Sequence, residues 1–88
     1  MTTPYLFRGN ELLIFKFITS KSIHIPALCR IETKVVYHYR APNSFRVHFY
    51  TQSGKIGHVT LNQKGAFDFL LLQLRRENTQ LSIFMQDR

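Results

Sequence analysis

The chain has 88 residues, of which 44% are hydrophobic and 19% are charged. This length fits one small domain, and the composition is too apolar for a disordered chain and too low in Gly and Pro for a fibrous one. Twelve Lys and Arg against five Asp and Glu give a formal net charge of +7. Such a balance favours polyanionic partners, such as nucleic acid or an anionic membrane surface, or simply provides a solvated basic surface.

Apolar runs in the sequence are short. The longest, such as residues 12–15 and 69–72, cover one helical turn, whereas a membrane-spanning helix needs about 20 apolar residues. Charged residues at positions 8, 11 and 16 interrupt the place where a signal peptide needs an apolar stretch. The single cysteine, Cys29, cannot form an internal disulfide and is interpreted as a small buried hydrophobe. We therefore expect a cytoplasmic protein.

The first two thirds of the chain have the patterns of strands. Residues 1–10 are expected to form a lead-in, and strands fill residues 11–61. The run ELLIFKFI, which starts at residue 11, is apolar on both alternating faces, and this is typical of a strand covered on both sides. Residues 22–25 form a short strand that Pro26 ends, because proline has no N–H for the ladder. The next extended segment covers residues 28–40.

Two strands joined by a Gly-containing loop give the clearest pattern. Alternation over residues 45–50 and 57–61 puts apolar side chains on one face and polar side chains on the other. A three-residue loop with Gly54 in the left-handed conformation places Thr51 opposite Lys55 and keeps the apolar residues together. Its register pairs Phe45 with Leu61, Val47 with Val59 and His48 with His58.

After Leu61 the apolar period changes from two to about 3.6 residues, which predicts an amphipathic helix over residues 63–77. Asn62 is the expected N-cap, and Asn78 is the expected end. Residues 81–85 follow as a last edge strand or as an extension packed against its neighbours. The sequence thus predicts an α+β fold, in which a mostly antiparallel bent sheet or partly open barrel of about six strands is capped by one C-terminal helix.

The predicted helix is apolar on two sides. One side carries the large residues expected in the core, while Phe69 and Leu72 point to the opposite side, close to Arg76. Either the tail at residues 81–85 or the N-terminal residues 5–7 cover this side, or it meets another protein chain. We call Phe69, Leu72 and Arg76 the helix patch and treat it as a candidate partner-binding surface.

A second candidate surface follows the polar faces of the strands. It combines basic and aromatic side chains that can hold phosphates and stack on bases, and we call it the basic strip. This candidate anion-binding surface comprises His38, Arg40, Arg46, His48, Tyr50 and His58, with Lys55 beside it. If His38 also lies opposite His48, three histidines form a row. Three histidines plus a water molecule can bind zinc, but a straight row across a twisted sheet need not converge on one point. Neighbouring arginines disfavour a cation there, and an exposed polar face is the alternative, so no metal is assigned.

No catalytic arrangement is evident in the sequence. The acids at positions 11, 32, 68, 77 and 87 are scattered, and the sequence lacks Gly-rich phosphate loops and the HExxH and GxSxG motifs. A domain of this size also leaves little room for a deep pocket. We expect a non-enzymatic protein that needs no cofactor.

Four segments follow one another in an informative order: SKSIHIP, ALCRIETKVVYHY, FRVHFYTQSGKIGHVTL and AFDFLLLQLRREN. Preceded by the strand at residue 11, this order resembles a bacterial pleckstrin-homology-like domain over most of the chain. The resemblance implies a bent antiparallel barrel with one end plugged by the helix, and a scaffold that binds phosphoinositide headgroups, peptides or proteins. Lipid-binding members have a Lys followed by Lys-x-Arg near the first hairpin; here Lys16 and Lys21 are present, but Ser22 and Ile23 follow. The sequence also resembles LytTR-type DNA-binding domains more weakly, but it lacks a His-Arg-Ser segment after the helix.

The sequence therefore predicts an interaction module that binds a protein partner or itself, through the helix patch or the basic strip. Nucleic-acid binding through the basic strip is the first alternative. Binding of an anionic lipid or phosphate through Lys16 and Lys21 is the second.

Overall fold

The computed structural model describes residues 4–86, except for the side chains of residues 38 and 41–43. A short 3-10 turn, Ile25–Ala27, lies between the third and fourth strands. The elements in chain order are β1 (Tyr5–Arg8), β2 (Glu11–Phe15), β3 (Ser20–His24), β4 (Arg30–His38), β5 (Ala41–Thr51), β6 (Gly54–Leu61), α1 (Lys64–Glu77) and β7 (Ser82–Gln86). The predicted α+β class, with one helix after the main run of strands, is confirmed.

The strands form two separate sheets that do not close into a barrel. Sheet A has the order β1-β2-β3, and sheet B has the order β6-β5-β4-β7. Neighbouring strands are antiparallel except for β4 and β7, which run parallel. The helix carries the chain from β6 at one edge of sheet B to β7 at the other edge, since parallel strands need such a crossover.

One apolar core unites both sheets and the helix. On the helix, Phe67, Leu70 and Leu74 are buried, and the Phe67 ring stacks on Phe45 with centroids 4.8 Å apart. The Tyr5 hydroxyl donates a hydrogen bond of 2.7 Å to the Ala66 carbonyl, which ties β1 to the helix. Burial of these large side chains supplies most of the stabilisation, at about 25 cal/mol per Å² of apolar area.

The N-terminal region differs from the prediction in two ways. The expected lead-in contains strand β1, which pairs with β2 through Tyr5 opposite Ile14. The strand that starts at Glu11 is shorter than the apolar pattern suggests, because the Lys16 N–H bonds to the Thr19 carbonyl at 2.7 Å and turns the chain. Phe17 and Ile18 therefore lie at the tip of a turn, 101% and 85% exposed.

The predicted register of the β5–β6 hairpin is confirmed for the residues away from the turn. Phe45 pairs with Leu61, Val47 with Val59 and His48 with His58, and Gly54 has a φ of +112°. The detail of the loop was wrong, because Thr51 faces Gly54 where Lys55 was expected. A two-residue turn is followed by a shift in register between Phe49 and Tyr50. The bulge adds the residue that the longer loop was expected to add, so the apolar face stays intact.

The ends of the helix and of the last strand are close to their predicted positions. Asn78 caps the C-terminus, as expected, but the N-cap is Gln63 where Asn62 was predicted, and it makes no capping hydrogen bond through its side chain. The last segment is a true edge strand, β7, preceded by the buried Leu81. Cys29 is exposed, contrary to the prediction, because it precedes β4 and the alternation of that strand does not extend to it.

Candidate interaction surfaces

The helix patch is only partly covered. Phe69 and Leu72 are 47% and 58% exposed, and Arg76 is exposed as well. The ring of Phe7 packs edge-on against Phe69, with centroids 6.1 Å apart, so the N-terminal strand shields one end of the patch. The tail does not fold over the patch, because β7 pairs with β4 at the far edge of sheet B. Leu72 is thus the most exposed apolar residue on the helix.

An apolar cleft of about 370 Å³ opens between the helix, β4 and β7. On the helix, Lys64 and Asp68 form an ion pair of 2.8 Å at its rim. The other lining residues belong mainly to the strands: Thr33, Val35, Tyr37, Phe45, Phe67, Met85 and Gln86.

The structure brings part of the basic strip together on the outer face of sheet B. Cross-strand pairs place Arg46 next to Lys34 and Thr60, and place His48 between Glu32 and His58. Strand pairing also puts Tyr50 next to Arg30 and Lys55. The β4 residues of this face were missed, although Arg30, Glu32 and Lys34 alternate with Ile31, Thr33 and Val35 in the sequence.

The row of three histidines does not form. His38 pairs with Ala41 at the turn between β4 and β5, whereas the β4 residue opposite His48 is Glu32. The hairpin turns at residues 39–40, so His38 and Arg40 lie at the end of the sheet, away from the other strip residues. Among the side chains that the structure describes, which do not include that of His38, no group of three or more His, Cys, Asp or Glu is placed to hold a metal ion.

His48 and His58 form the centre of the strip. Their rings are 5.7 Å apart between centroids and inclined by 35°. Partial burial, followed by the positive charge of Lys55 and the neighbouring His58, lowers the pKa of His48 below its usual value, despite an opposing effect of Glu32. Burial and then Lys16 lower the pKa of His58 in the same direction. Both imidazoles are therefore neutral near pH 7, and the fixed charge of the face comes from its Lys and Arg residues.

Tyr50 was predicted to offer its ring to a nucleic-acid base. The guanidinium of Arg30 lies over that ring, 4.2 Å from its centroid. Arg30 also donates from Nε to Glu32 at 3.0 Å, and the Tyr50 hydroxyl is 3.5 Å from the same carboxylate. One face of the ring is thus already stacked on a cation, and a base stacking on that face would have to displace Arg30.

The two lysines considered for anionic lipids have different surroundings. Lys16 begins the exposed turn that carries Phe17 and Ile18. Lys21 instead crosses to sheet B, where its Nζ donates to the Ile56 carbonyl on β6. This contact holds one edge of sheet B against sheet A, so the lysines do not form a pair that faces one ligand.

The chain matches no protein-family model, no curated protein and no solved structure. The resemblance to pleckstrin-homology-like domains therefore stays a prediction. In the part of the chain that the structure describes, no helix is long and apolar enough to cross a membrane.

Proposed function

We propose that this protein is a non-enzymatic interaction module that binds a protein partner or itself. The observation that carries the proposal is the exposure of Leu72 and Phe69 on a helix whose opposite side is anchored in the core. Covering two half-exposed apolar side chains is favourable, at about 25 cal/mol per Å² removed from water. Arg76, beside them, adds a residue type that is enriched at protein interfaces.

The helix offers these side chains from a fixed position. Its C-terminal end is tied to the turn before β4 by Asn78, whose Nδ2 donates to the carbonyls of Ile25 and Leu28, both at 3.0 Å. At the other end, Tyr5 bonds to Ala66. A helix held at both ends loses little conformational freedom on binding, and this favours affinity.

The test compares three proteins: the native chain, Leu72→Asp and the control Ser53→Asp, which places the same charge in the exposed β5–β6 turn. Each is immobilised, partners are captured and identified by mass spectrometry, and self-association is measured by light scattering. We expect Leu72→Asp to abolish a specific interaction that Ser53→Asp retains. Equal binding by all three proteins would contradict the role of the helix patch.

A second candidate function, polyanion binding, is favoured by the charge of the outer face of sheet B. Lys34, Arg46 and Lys55 lie on or beside that face. Glu32 also lies there, but its carboxylate accepts a hydrogen bond from Arg30. Phosphate contacts by such residues release counterions, so binding weakens steeply with salt.

Anisotropy of a labelled single-stranded oligonucleotide, at about 50 and 500 mM salt, tests this second function. Arg46→Glu should remove the binding, while Arg75→Glu, which makes the same change in charge on the helix, should weaken it only slightly. Sedimentation with phosphatidylserine vesicles and with neutral vesicles separates a lipid surface from nucleic acid. Equal losses in both variants would mean that net charge alone drives binding and would contradict a site on sheet B.

A further inference from the structure

In the part of the chain that the structure describes, no strand pairs with the outer edge of β7, and this edge differs from the other edges of the two sheets. The edge strands are β1 and β3 in sheet A and β6 and β7 in sheet B. Each of the first three contains a Lys or Arg, which protects natural edges from pairing with another chain. Strand β7 has the sequence SIFMQ, with no charge, no proline and no glycine.

The side chains on this strand are unusually apolar for an exposed edge. Phe84 on the outer face is 55% exposed, and Met85 on the inner face is 62% exposed. The strand is firmly seated on its other side, because its five residues pair with β4 and the buried Thr33 donates from Oγ1 to the Phe84 carbonyl at 3.1 Å. A fixed, uncharged and apolar edge is a template for one further strand.

The sequence of β7 is complementary to itself. If a second β7 pairs antiparallel about Phe84, that residue faces its own copy, Ile83 faces Met85, and Ser82 faces Gln86. Apolar residues then meet apolar residues, and polar residues meet polar residues, with the two faces of the sheet kept in register. An interface in which the same segment serves both partners is the kind that a two-fold axis requires.

From this we infer that the protein forms a symmetric homodimer in which two β7 strands pair and join both copies of sheet B into one continuous sheet. The inference names a partner for the proposed interaction role and uses a surface distinct from the helix patch. A two-fold axis perpendicular to the sheet leaves both helices on the same side. The apolar cleft between α1 and β7, bordered by Asp68 and Met85, then faces the junction of the two copies.

Two features set the expected strength of the dimer. Five residues of strand and the neighbouring cleft form a small interface, so we expect dissociation in the micromolar range. Each copy carries a net charge of +7, so the copies repel each other at long range, and salt should strengthen the dimer by screening this repulsion.

Two variants test the pairing. Sedimentation and light scattering over a range of concentrations should give twice the monomer mass for the native chain, more completely at about 500 mM than at 50 mM salt. Phe84→Lys should weaken dimerisation at least about tenfold, because it places two like charges opposite each other. Circular dichroism of Phe84→Lys should match that of the native chain, since the side chain is already half-exposed.

Cross-linking provides a test that does not depend on weakening the dimer. In a Cys29→Ser background, Phe84→Cys should form a disulfide-linked dimer under mild oxidation, since the two copies of this residue face each other. Phe69→Cys in the same background is the control, with similar exposure on the helix.

A native chain that stays monomeric at millimolar concentration would overturn the inference. So would a dimer that survives Phe84→Lys, or that cross-links through position 69 and not through position 84. The last two results would leave the proposed interaction role standing on the helix patch. Conversely, a dimer that requires Phe84, together with partner capture that ignores Leu72→Asp, would retain this inference and remove the helix patch from the proposed function.

Discussion

The two edges of sheet B are protected to very different degrees. At the β6 edge, Lys21 reaches across from sheet A and donates to the Ile56 carbonyl, and β6 itself carries Lys55. At the β7 edge, residues 82–86 contain no charged side chain, and Phe84 and Met85 remain exposed. A lysine that engages an edge carbonyl uses up an acceptor that another chain would need, and its charge repels a second basic copy. Strand β6 is thus protected against further pairing, whereas β7 leaves an edge that another strand can extend.

The largest loss of stability is expected from a substitution at the residue that anchors β7 in the core. Leu81 is 2% exposed and precedes the strand, and its N–H bonds to the Asn78 carbonyl at 3.2 Å. Leu81→Ala should lower the free energy of unfolding by about 2–5 kcal/mol, because it leaves a cavity where the strand leaves the core. Urea unfolding measures the change.

The position next to Leu81 in the same loop provides a control for this prediction. Gln80→Ala changes an exposed side chain and should alter stability by less than about 0.5 kcal/mol. If both variants had equal stability, Leu81 would not anchor β7, and the edge would be less firmly seated than we infer.

The difference between these edges also shows what the sequence could and could not predict. Alternation over Phe45, Val47 and Phe49 determines which face of β5 is buried, so the register of the hairpin and the pairing of His48 with His58 followed from the pattern. The partner of β7 did not follow, because parallel pairing across the helix depends on contacts far apart in sequence. In the same way, nothing local reveals that Lys21 bonds to a carbonyl 35 residues away.

The failures at the candidate sites have equally local causes. The predicted row of histidines assumed that spacings of ten residues carry over from one hairpin to the next. Since the β4–β5 hairpin turns immediately after His38, that residue pairs with Ala41 at the turn. The pattern at residues 11–18 predicted a buried strand because Phe17 and Ile18 continue the apolar run, but the turn begins before them. A sequence pattern shows which residues are apolar, and the turn decides which of them are covered.

A smaller loss of stability is expected when the hydrogen bond from the Thr33 side chain on β4 to β7 is removed. Thr33 is 1% exposed, and its hydroxyl donates to the Phe84 carbonyl. Thr33→Val keeps the shape of the side chain and removes the donor, so we expect a loss of about 1 kcal/mol in unfolding free energy. The substitution should increase hydrogen exchange, relative to the native chain, more in residues 82–86 than in β5. This difference would place the loss of stability at the β7 edge.

For Thr33→Val, uniformly faster exchange throughout sheet B would show that Thr33 stabilises the whole core and not the edge in particular. Thr60→Val is a suitable control, since Thr60 is exposed on β6. It should change neither stability nor exchange at β7 by a measurable amount.

At the other edge, Lys21→Met tests the protection of β6. The substitution keeps a long apolar stem but removes the donor to Ile56, and we expect a loss of about 0.5–1 kcal/mol. Lys55→Met on the edge strand itself is the control for lost charge. If both variants lost stability equally, the effect would come from charge and not from the bond to Ile56.

The smallest expected effect is a pH dependence of stability that comes from His48 on β5 and His58 on β6. The pKa values of His48 and His58 are lowered in the folded protein, first by burial and then by neighbouring positive charges, which are Lys55 for His48 and Lys16 for His58. The unfolded chain, with an ordinary histidine pKa near 6.5, therefore binds protons more readily than the folded chain as pH falls below that value. Stability should decline from pH 7 towards pH 5.

This decline is separate from that of Glu11, whose pKa is lowered by hydrogen bonds from Ser22 and then His24. The contribution of Glu11 to stability is present above its ordinary pKa of 4.5 and is lost as the pH falls below that value. Urea unfolding at several pH values, in the Phe84→Lys background, keeps dimer dissociation out of the measurement. The double variant His48→Gln and His58→Gln should flatten the curve between pH 7 and 5, whereas an unchanged slope would mean that groups other than these two histidines control it.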